Sequence, residues 1–130
     1  MTIKTEDDWS LVKHFRPDEF FCKCGECERD TGVSFILVQI IDRMRRDMNF
    51  PFKITSGFRC PKHPQSKNMT SSHAIGLAVD IYCPSSNKRY NMMEYVFKRG
   101  MFSRVGVAHD FLHFDIDDSL NKSQRVMWTY

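Results

Sequence analysis

The chain has 130 residues, of which 42% are hydrophobic and 27% charged, a composition typical of a folded globular protein. This length is enough for one domain with its own core and too short for two. The net charge is +3, with no cluster of basic residues interleaved with aromatic ones, and no apolar run approaches the roughly 20 residues that span a bilayer. We therefore expect a single domain that neither binds nucleic acid nor inserts into a membrane.

The N-terminal residues 1–8 are polar and acidic and lack the basic and apolar regions of a signal peptide. This pattern predicts synthesis in the cytoplasm without export. The chain has an odd number of cysteines, and without an export signal they are expected to be thiols or metal ligands rather than a disulfide framework. The five are Cys22, Cys24, Cys27, Cys60 and Cys83.

The N-terminal part of the chain contains a cysteine-rich loop. Phe15, Phe20 and Phe21 surround a Pro-Asp-Glu sequence, which predicts a short turn held against the core. Cys22, Cys24 and Cys27 follow in a tight loop, and they could hold a structural zinc ion if His14 or Cys60 supplied a fourth ligand. A loop of small, partly buried thiols is the simpler interpretation, because the C-x-C-x-x-C segment has no partner knuckle.

Helices are predicted where apolar residues recur with helical spacing. Residues 33–49 are predicted to form a long amphipathic helix, capped by Thr31 or Ser34 and ended by Pro51. Residues 88–98 are predicted to form a second helix that ends at Gly100.

Strands are predicted where apolar and polar residues alternate or where a short apolar run lies between turns. The predicted strands are 52–56, 76–83, and a hairpin formed by 104–108 and 112–116. Residues 60–72 lack periodicity and predict an irregular loop of the kind that borders active sites. In the polar tail, Trp128 and Tyr130 either pack on the sheet or border a sugar or peptide groove. The fold class is therefore α+β, with a small antiparallel β-sheet flanked by helices.

The segment 72–80 contains the strongest functional signal. It joins His73 to Asp80 across small and branched apolar residues, and burying an ionised aspartate in such a strand is costly unless it is paired or bound to a metal. The alternative is an Asp80 carboxylate turned to solvent on an edge strand. His113, in a second cluster at 110–115, would complete a site with two imidazoles, one carboxylate and an open fourth position on the sheet face.

A hydrolase built on such a site also needs a general base. Asp110 lies three residues before His113, on the connection between the two hairpin strands. Asp115 shares a strand face with His113, so it is either the base or a partner that orients the imidazole. His109 either stabilises charge or is a polar turn residue.

The sequence Ser-His-x-x-Gly-x-Ala-x-Asp at 72–80 resembles the signature of the zinc D-Ala-D-Ala carboxypeptidase family. That family also includes the vancomycin-resistance D,D-dipeptidases and phage endolysins that cleave L-Ala-D-Glu bonds. Residues 56–59 resemble the family's Ser-Gly-Tyr-Arg turn, and residues 105–107 followed by 111–115 resemble the strand with the last ligand. The resemblance covers roughly residues 15–117.

The resemblance implies a role for each matching residue. The zinc ligands would be His73, Asp80 and His113. Arg59 would contact the substrate carbonyl or carboxylate with its planar guanidinium, and Ser72, which opens the motif, is expected to bind substrate as well. Asp110 is favoured as the base, with Asp115 as the alternative.

The implied function is zinc-dependent hydrolysis of a peptide bond in the stem peptide of bacterial peptidoglycan, of the D,D-carboxypeptidase or the L-Ala-D-Glu endopeptidase type. We expect a monomeric, phage-type lytic enzyme that acts on the cell wall, with residues 1–31 as an extension packed on a single zinc peptidase domain. One rival is a non-catalytic, metal-containing binding module, as in the related signalling domain of the hedgehog proteins. The other is a structural zinc protein built on the cysteine-rich loop.

Overall fold

The computed structural model describes residues 9–25, 27, 32–60 and 71–130. Within these residues the chain forms two α-helices, one 3-10 helix and one five-stranded sheet. The 3-10 helix is Pro17–Phe20, and the α-helices are α1 (Phe35–Met48) and α2 (Ser86–Arg99). The strands are β1 (Lys53–Ser56), β2 (Ala78–Tyr82), β3 (Arg104–Val107), β4 (Phe111–Asp115) and β5 (Val126–Thr129). The predicted α+β class is confirmed.

The sheet has the strand order β1-β2-β4-β3-β5. The first three pairs are antiparallel, including the predicted hairpin of β3 and β4. β2 lies between β1 and β4, so the alternative of Asp80 on an edge strand is wrong. In the register of β2 and β4, Asp80 lies directly opposite His113.

The last strand, β5, was not predicted as a strand. It pairs with β3 in parallel, so that Gly106 lies opposite Trp128, and the sheet is antiparallel only as far as β3. Its four residues alternate between half-buried and exposed, a pattern too short to stand out in the sequence. The strand extends the sheet on the side of His113.

Serine side chains cap the start of both α-helices, and residues in the left-handed conformation end them. The Ser34 hydroxyl accepts the Leu37 N–H at the start of α1, and Asn49 ends that helix in the left-handed conformation, two residues before the predicted end at Pro51. Ser85 caps α2 in the same way, and Gly100 ends it at a φ of 60°. Thr31, the other predicted cap of α1, lies outside the described residues, as do 61–70 of the predicted irregular loop.

The hydrophobic core lies against one face of the sheet. Alternation along β2 and β4 directs Val79, Ile81, Leu112 and Phe114 into it, and all four are essentially inaccessible to solvent. The buried residues of α1 that pack there are Leu37, Val38, Ile41 and Met44. The same alternation leaves Asp80, His113 and Asp115 on the opposite face of the sheet.

The N-terminal segment packs on the same core. The predicted turn is the 3-10 helix Pro17–Phe20, and the Phe20 ring is fully buried against Phe15 at a centroid distance of 5.5 Å. The Phe58 N–H donates a 3.0 Å hydrogen bond to the Phe20 carbonyl, which joins this segment to the chain that follows β1. None of the helices in the described part of the chain is long and apolar enough to cross a membrane.

Candidate active site

A tight turn at 72–76 holds His73 at the entrance to β2. The Gly76 N–H donates to the His73 carbonyl, and Gly76 adopts a φ of 77°, which favours glycine. A Cβ atom at Gly76 would lie 1.9 Å from the Gly32 carbonyl oxygen. The turn is fixed to the start of α1 by a 2.8 Å bond from the Ser34 N–H to the Gly76 carbonyl.

His73, Asp80 and His113 converge on one point. The Oδ1 atom of Asp80 lies 3.2 Å from His73 Nε2 and 2.9 Å from His113 Nδ1, and one potential ligand atom from each residue lies within 4.8 Å of the others. All three side chains are buried. At metal–ligand bonds of about 2.0–2.1 Å, the ligands of a tetrahedral zinc site are about 3.4 Å apart. The three residues therefore fit a divalent cation.

The outer nitrogen of each imidazole contacts a hydrogen-bond acceptor. His73 Nδ1 lies 2.8 Å from the Gly57 carbonyl oxygen, and His113 Nε2 lies 2.7 Å from Oδ2 of Asp115. Each outer nitrogen therefore donates its hydrogen, which in a neutral ring leaves a lone pair on the inner nitrogen facing Asp80. Two lone pairs and a carboxylate oxygen this close together call for a positive charge among them, which a metal cation would supply.

The electrostatics keep Asp80 ionised. Burial raises the pKa of Asp80, but its close contacts with His113 and His73 outweigh burial and hold the pKa below its usual value. Burial lowers the pKa of His73 and favours its neutral form. Burial also acts to lower the pKa of His113, but its contacts with the carboxylates of Asp115 and Asp80 raise it overall. The donor set given by the geometry is one carboxylate and two imidazoles, which suits zinc when both rings are neutral.

Arg59 contacts the side of Asp80 that faces away from the two histidines. One guanidinium nitrogen lies 3.3 Å from Asp80 Oδ2, and Nε donates a 3.0 Å bond to the Ser56 hydroxyl. Burial lowers the pKa of Arg59, while Asp80, Tyr130 and Cys22 act in the opposite direction. The guanidinium therefore lies next to the proposed metal ligands, held by two side-chain contacts.

Sequence reasoning missed Arg104, which borders this site, and left open whether Trp128 packs on the sheet or borders a groove. Arg104 donates a 2.8 Å bond from Nε to Oδ1 of the fully buried Asp115. The half-buried Trp128 ring lies 5.2 Å from the His113 ring and 5.1 Å from the Arg104 guanidinium. Gly106 makes this packing possible, since a Cβ there would lie 2.7 Å from the indole nitrogen. The signal in the sequence was Asp115 itself, because a charge buried on a strand needs a partner.

The remaining predicted residues have different surroundings. Asp110 and His109 are exposed on the connection between β3 and β4, and the Asp110 carbonyl accepts a 2.7 Å bond from the Cys83 N–H. Ser72 is buried, and its hydroxyl donates a 2.6 Å bond to Asp117. The thiols of Cys22, Cys24 and Cys27 group with Cys60, whereas His14 is not among the grouped residues.

The comparison with known protein families agrees with this geometry. A family model described as Peptidase M15 matches residues 13–115, a range that includes His73, Asp80, His113 and Arg59. No curated protein matches the chain significantly. The match covers most of the chain, and the members of this family are zinc peptidases. The chain therefore belongs to the peptidase M15 family of zinc metallopeptidases.

Proposed function

We propose that this zinc peptidase hydrolyses a peptide bond in the stem peptide of bacterial peptidoglycan, as a D,D-carboxypeptidase or an L-Ala-D-Glu endopeptidase. The observation that carries the proposal is the convergence of His73, Asp80 and His113, in a chain whose 72–80 segment resembles peptidoglycan peptidases. Zn²⁺ bound there would lower the pKa of a water molecule to near 7 and polarise the substrate carbonyl.

We assign the general base to Asp110. Its side chain is exposed on the connection before β4, where water has access to it. Asp115 is enclosed: Oδ1 accepts bonds from Arg104 and from the Asp117 N–H, and Oδ2 contacts His113. These contacts favour an orienting role for Asp115. Asp110 would take a proton from the attacking water and pass it to the amine nitrogen as the C–N bond breaks.

Arg59 is suited to binding negative charge on the substrate. Its fixed guanidinium could donate to the carbonyl oxygen that gains negative charge, or to a carboxylate of the stem peptide. Aromatic rings lie on the same face of the sheet as His113. The Phe111 and Tyr130 rings are 5.1 Å apart, and the Trp128 ring packs on His113. These rings supply an apolar border for a peptide. Ser72 is left out of the proposed substrate contacts because its hydroxyl is bound to Asp117.

The proposed setting is that of a phage-type lytic enzyme that acts on the bacterial cell wall as a monomer. Support comes from the resemblance of the 72–80 motif to endolysins and from the +3 net charge, which suits an anionic wall surface. The non-catalytic binding module is the competing function, and no contact in the described residues favours it over an enzyme.

The test is digestion of purified peptidoglycan and defined muropeptides by the zinc-loaded chain, with fragments identified by mass spectrometry. Release of a terminal D-Ala would identify a carboxypeptidase, and cleavage after L-Ala would identify an endopeptidase. A chelator should stop the reaction and added zinc should restore it. Asp110→Ala should abolish cleavage while zinc content stays unchanged.

Two matched substitutions serve as controls. Asp118→Ala removes an exposed aspartate from the chain after β4, and His14→Ala removes an exposed histidine whose backbone N–H bonds Asp42 on α1. Both variants should retain activity. If the zinc-loaded chain binds muropeptides but leaves every bond intact, the binding-module function replaces this proposal. Full activity of Asp110→Ala would move the role of base to another residue.

A further inference from the structure

We propose that Cys22, Cys24, Cys27 and Cys60 form a second metal site, a structural zinc site with four thiolate ligands. One sulfur atom from each residue lies within 4.8 Å of the others. Cys22 and Cys60 are buried, and Cys24 and Cys27 are partly so. Four thiolates around one ion is a common composition of closed, structural zinc sites. This proposal does not depend on the peptidoglycan substrate.

The sulfur separations match metal ligation better than a disulfide. The Cys60 sulfur lies 3.5 Å from that of Cys22 and 3.4 Å from that of Cys24. At a Zn–S bond of about 2.3 Å, the sulfurs of a tetrahedral site are about 3.8 Å apart. A disulfide would need about 2.05 Å and would join Cys60 to a single partner. Here Cys60 is equally close to two sulfurs.

The cysteine spacing and the backbone conformation around these residues are also typical of a zinc-binding loop. Cys24 and Cys27 are separated by two residues, the shortest spacing common among zinc-binding cysteine pairs. Gly25 between them has a φ of 79°, which lets the chain turn sharply there. The Cys60 N–H points at the Cys22 sulfur over 3.3 Å, a donor that stabilises a thiolate.

Such an ion would link the N-terminal segment to the catalytic face. Cys60 ends the segment 57–60, in which the Gly57 carbonyl accepts from His73 and Arg59 contacts Asp80. The Arg59 N–H also bonds the His73 carbonyl at 3.2 Å. The ion would therefore fix the backbone that orients one catalytic ligand and Arg59, so its loss should loosen the catalytic zinc as well.

The test is the zinc content of the purified chain, combined with the absorption spectrum of its cobalt-substituted form. The wild type should bind two ions per chain, one at each site. His73→Ala should lose the catalytic ion and keep the other, with a strong thiolate-to-cobalt charge-transfer band. Cys24→Ser and Cys27→Ser should lose that band. Cys83→Ser, which removes a buried thiol outside the group, should keep both ions.

The cobalt spectra of the wild type and of His73→Ala decide the matter even if the cysteine variants fail to fold. A wild type that binds one ion and shows no thiolate band in its cobalt form would overturn the proposal. Peptide mapping that finds Cys60 in a disulfide in the zinc-replete chain would overturn it equally.

Discussion

His113 and Asp115 form a buried hydrogen bond on β4, with 2.7 Å between Nε2 and Oδ2. Asp115 is held in turn by Arg104, at 2.8 Å from Nε to Oδ1. The bond determines which imidazole nitrogen carries the hydrogen, and so directs the Nδ1 lone pair of His113 towards Asp80. A carboxylate behind a histidine ligand in this way orients the ring and raises its basicity.

Asp115→Asn should therefore weaken zinc binding at the catalytic site by about 10–100-fold, because the neutral amide no longer balances Arg104 or fixes the His113 tautomer. Competition with a chelating dye measures this affinity. Asp118→Asn, an exposed change nearby, serves as the control. Equal zinc affinities of Asp115→Asn and the wild type would show that Asp115 does not support zinc binding through His113.

Arg59→Lys should reduce turnover while the zinc content stays the same. Lysine keeps the charge but cannot hold both the Ser56 hydroxyl and Asp80 with one planar group. We expect a loss of about 100-fold in kcat if Arg59 stabilises charge on the carbonyl oxygen. Arg46→Lys, on the exposed side of α1, is the matched control. An unchanged kcat would rule out this role.

Gly76→Ala should destabilise the fold by about 3 kcal/mol, since the left-handed conformation and the clash with the Gly32 carbonyl both oppose a side chain there. Gly100→Ala has a similar φ but open space around the Cβ position, so it should cost only about 1 kcal/mol. Urea unfolding of the metal-free variants measures both. Equal losses would show that the contact with Gly32 carries no energy.

Asp117→Asn should lower the free energy of unfolding at neutral pH by about 2 kcal/mol, through weaker bonds to Ser72 and Ser119. Burial raises the pKa of Asp117, but those two hydroxyls and the Ser119 N–H lower it overall from 3.8. The carboxylate therefore contributes stability above pH 3.8 that is lost as the pH falls through its lower folded-state pKa.

Unfolding of wild type and Asp117→Asn across this acidic range provides the measurement. The gap between them should narrow as the pH falls below 3.8. A gap that is the same at neutral and acidic pH would show that the charge of Asp117 contributes nothing.

Much of the fold could be predicted because its signals are local. The helical spacing of α1 and the caps at Ser34, Ser85 and Gly100 follow from neighbouring residues. The strand alternation that puts Asp80 and His113 on the face away from the core depends only on the period of two. This is why Asp80 and His113 could be named as metal-site candidates before their distance from His73 was known.

The missed features depend on pairing between distant segments. Nothing near Asp115 in the sequence identifies Arg104 as its partner, because the register of β3 and β4 brings them together. β5 pairs with β3 in parallel, and its four residues are too few to predict a strand without that pairing. The sequence left open whether His14 or Cys60 would join the cysteine-rich loop, because Cys60 lies 38 positions from Cys22 and the Phe20–Phe58 backbone bond brings the two segments together.

The central claim is that His73, Asp80 and His113 bind one zinc ion on the sheet face. A crystal of the zinc-loaded chain, with anomalous diffraction recorded on both sides of the zinc absorption edge, tests it most directly. We predict an anomalous peak about 2.0–2.2 Å from His73 Nε2, Asp80 Oδ1 and His113 Nδ1. A zinc-replete crystal with no peak between these three side chains would contradict the claim.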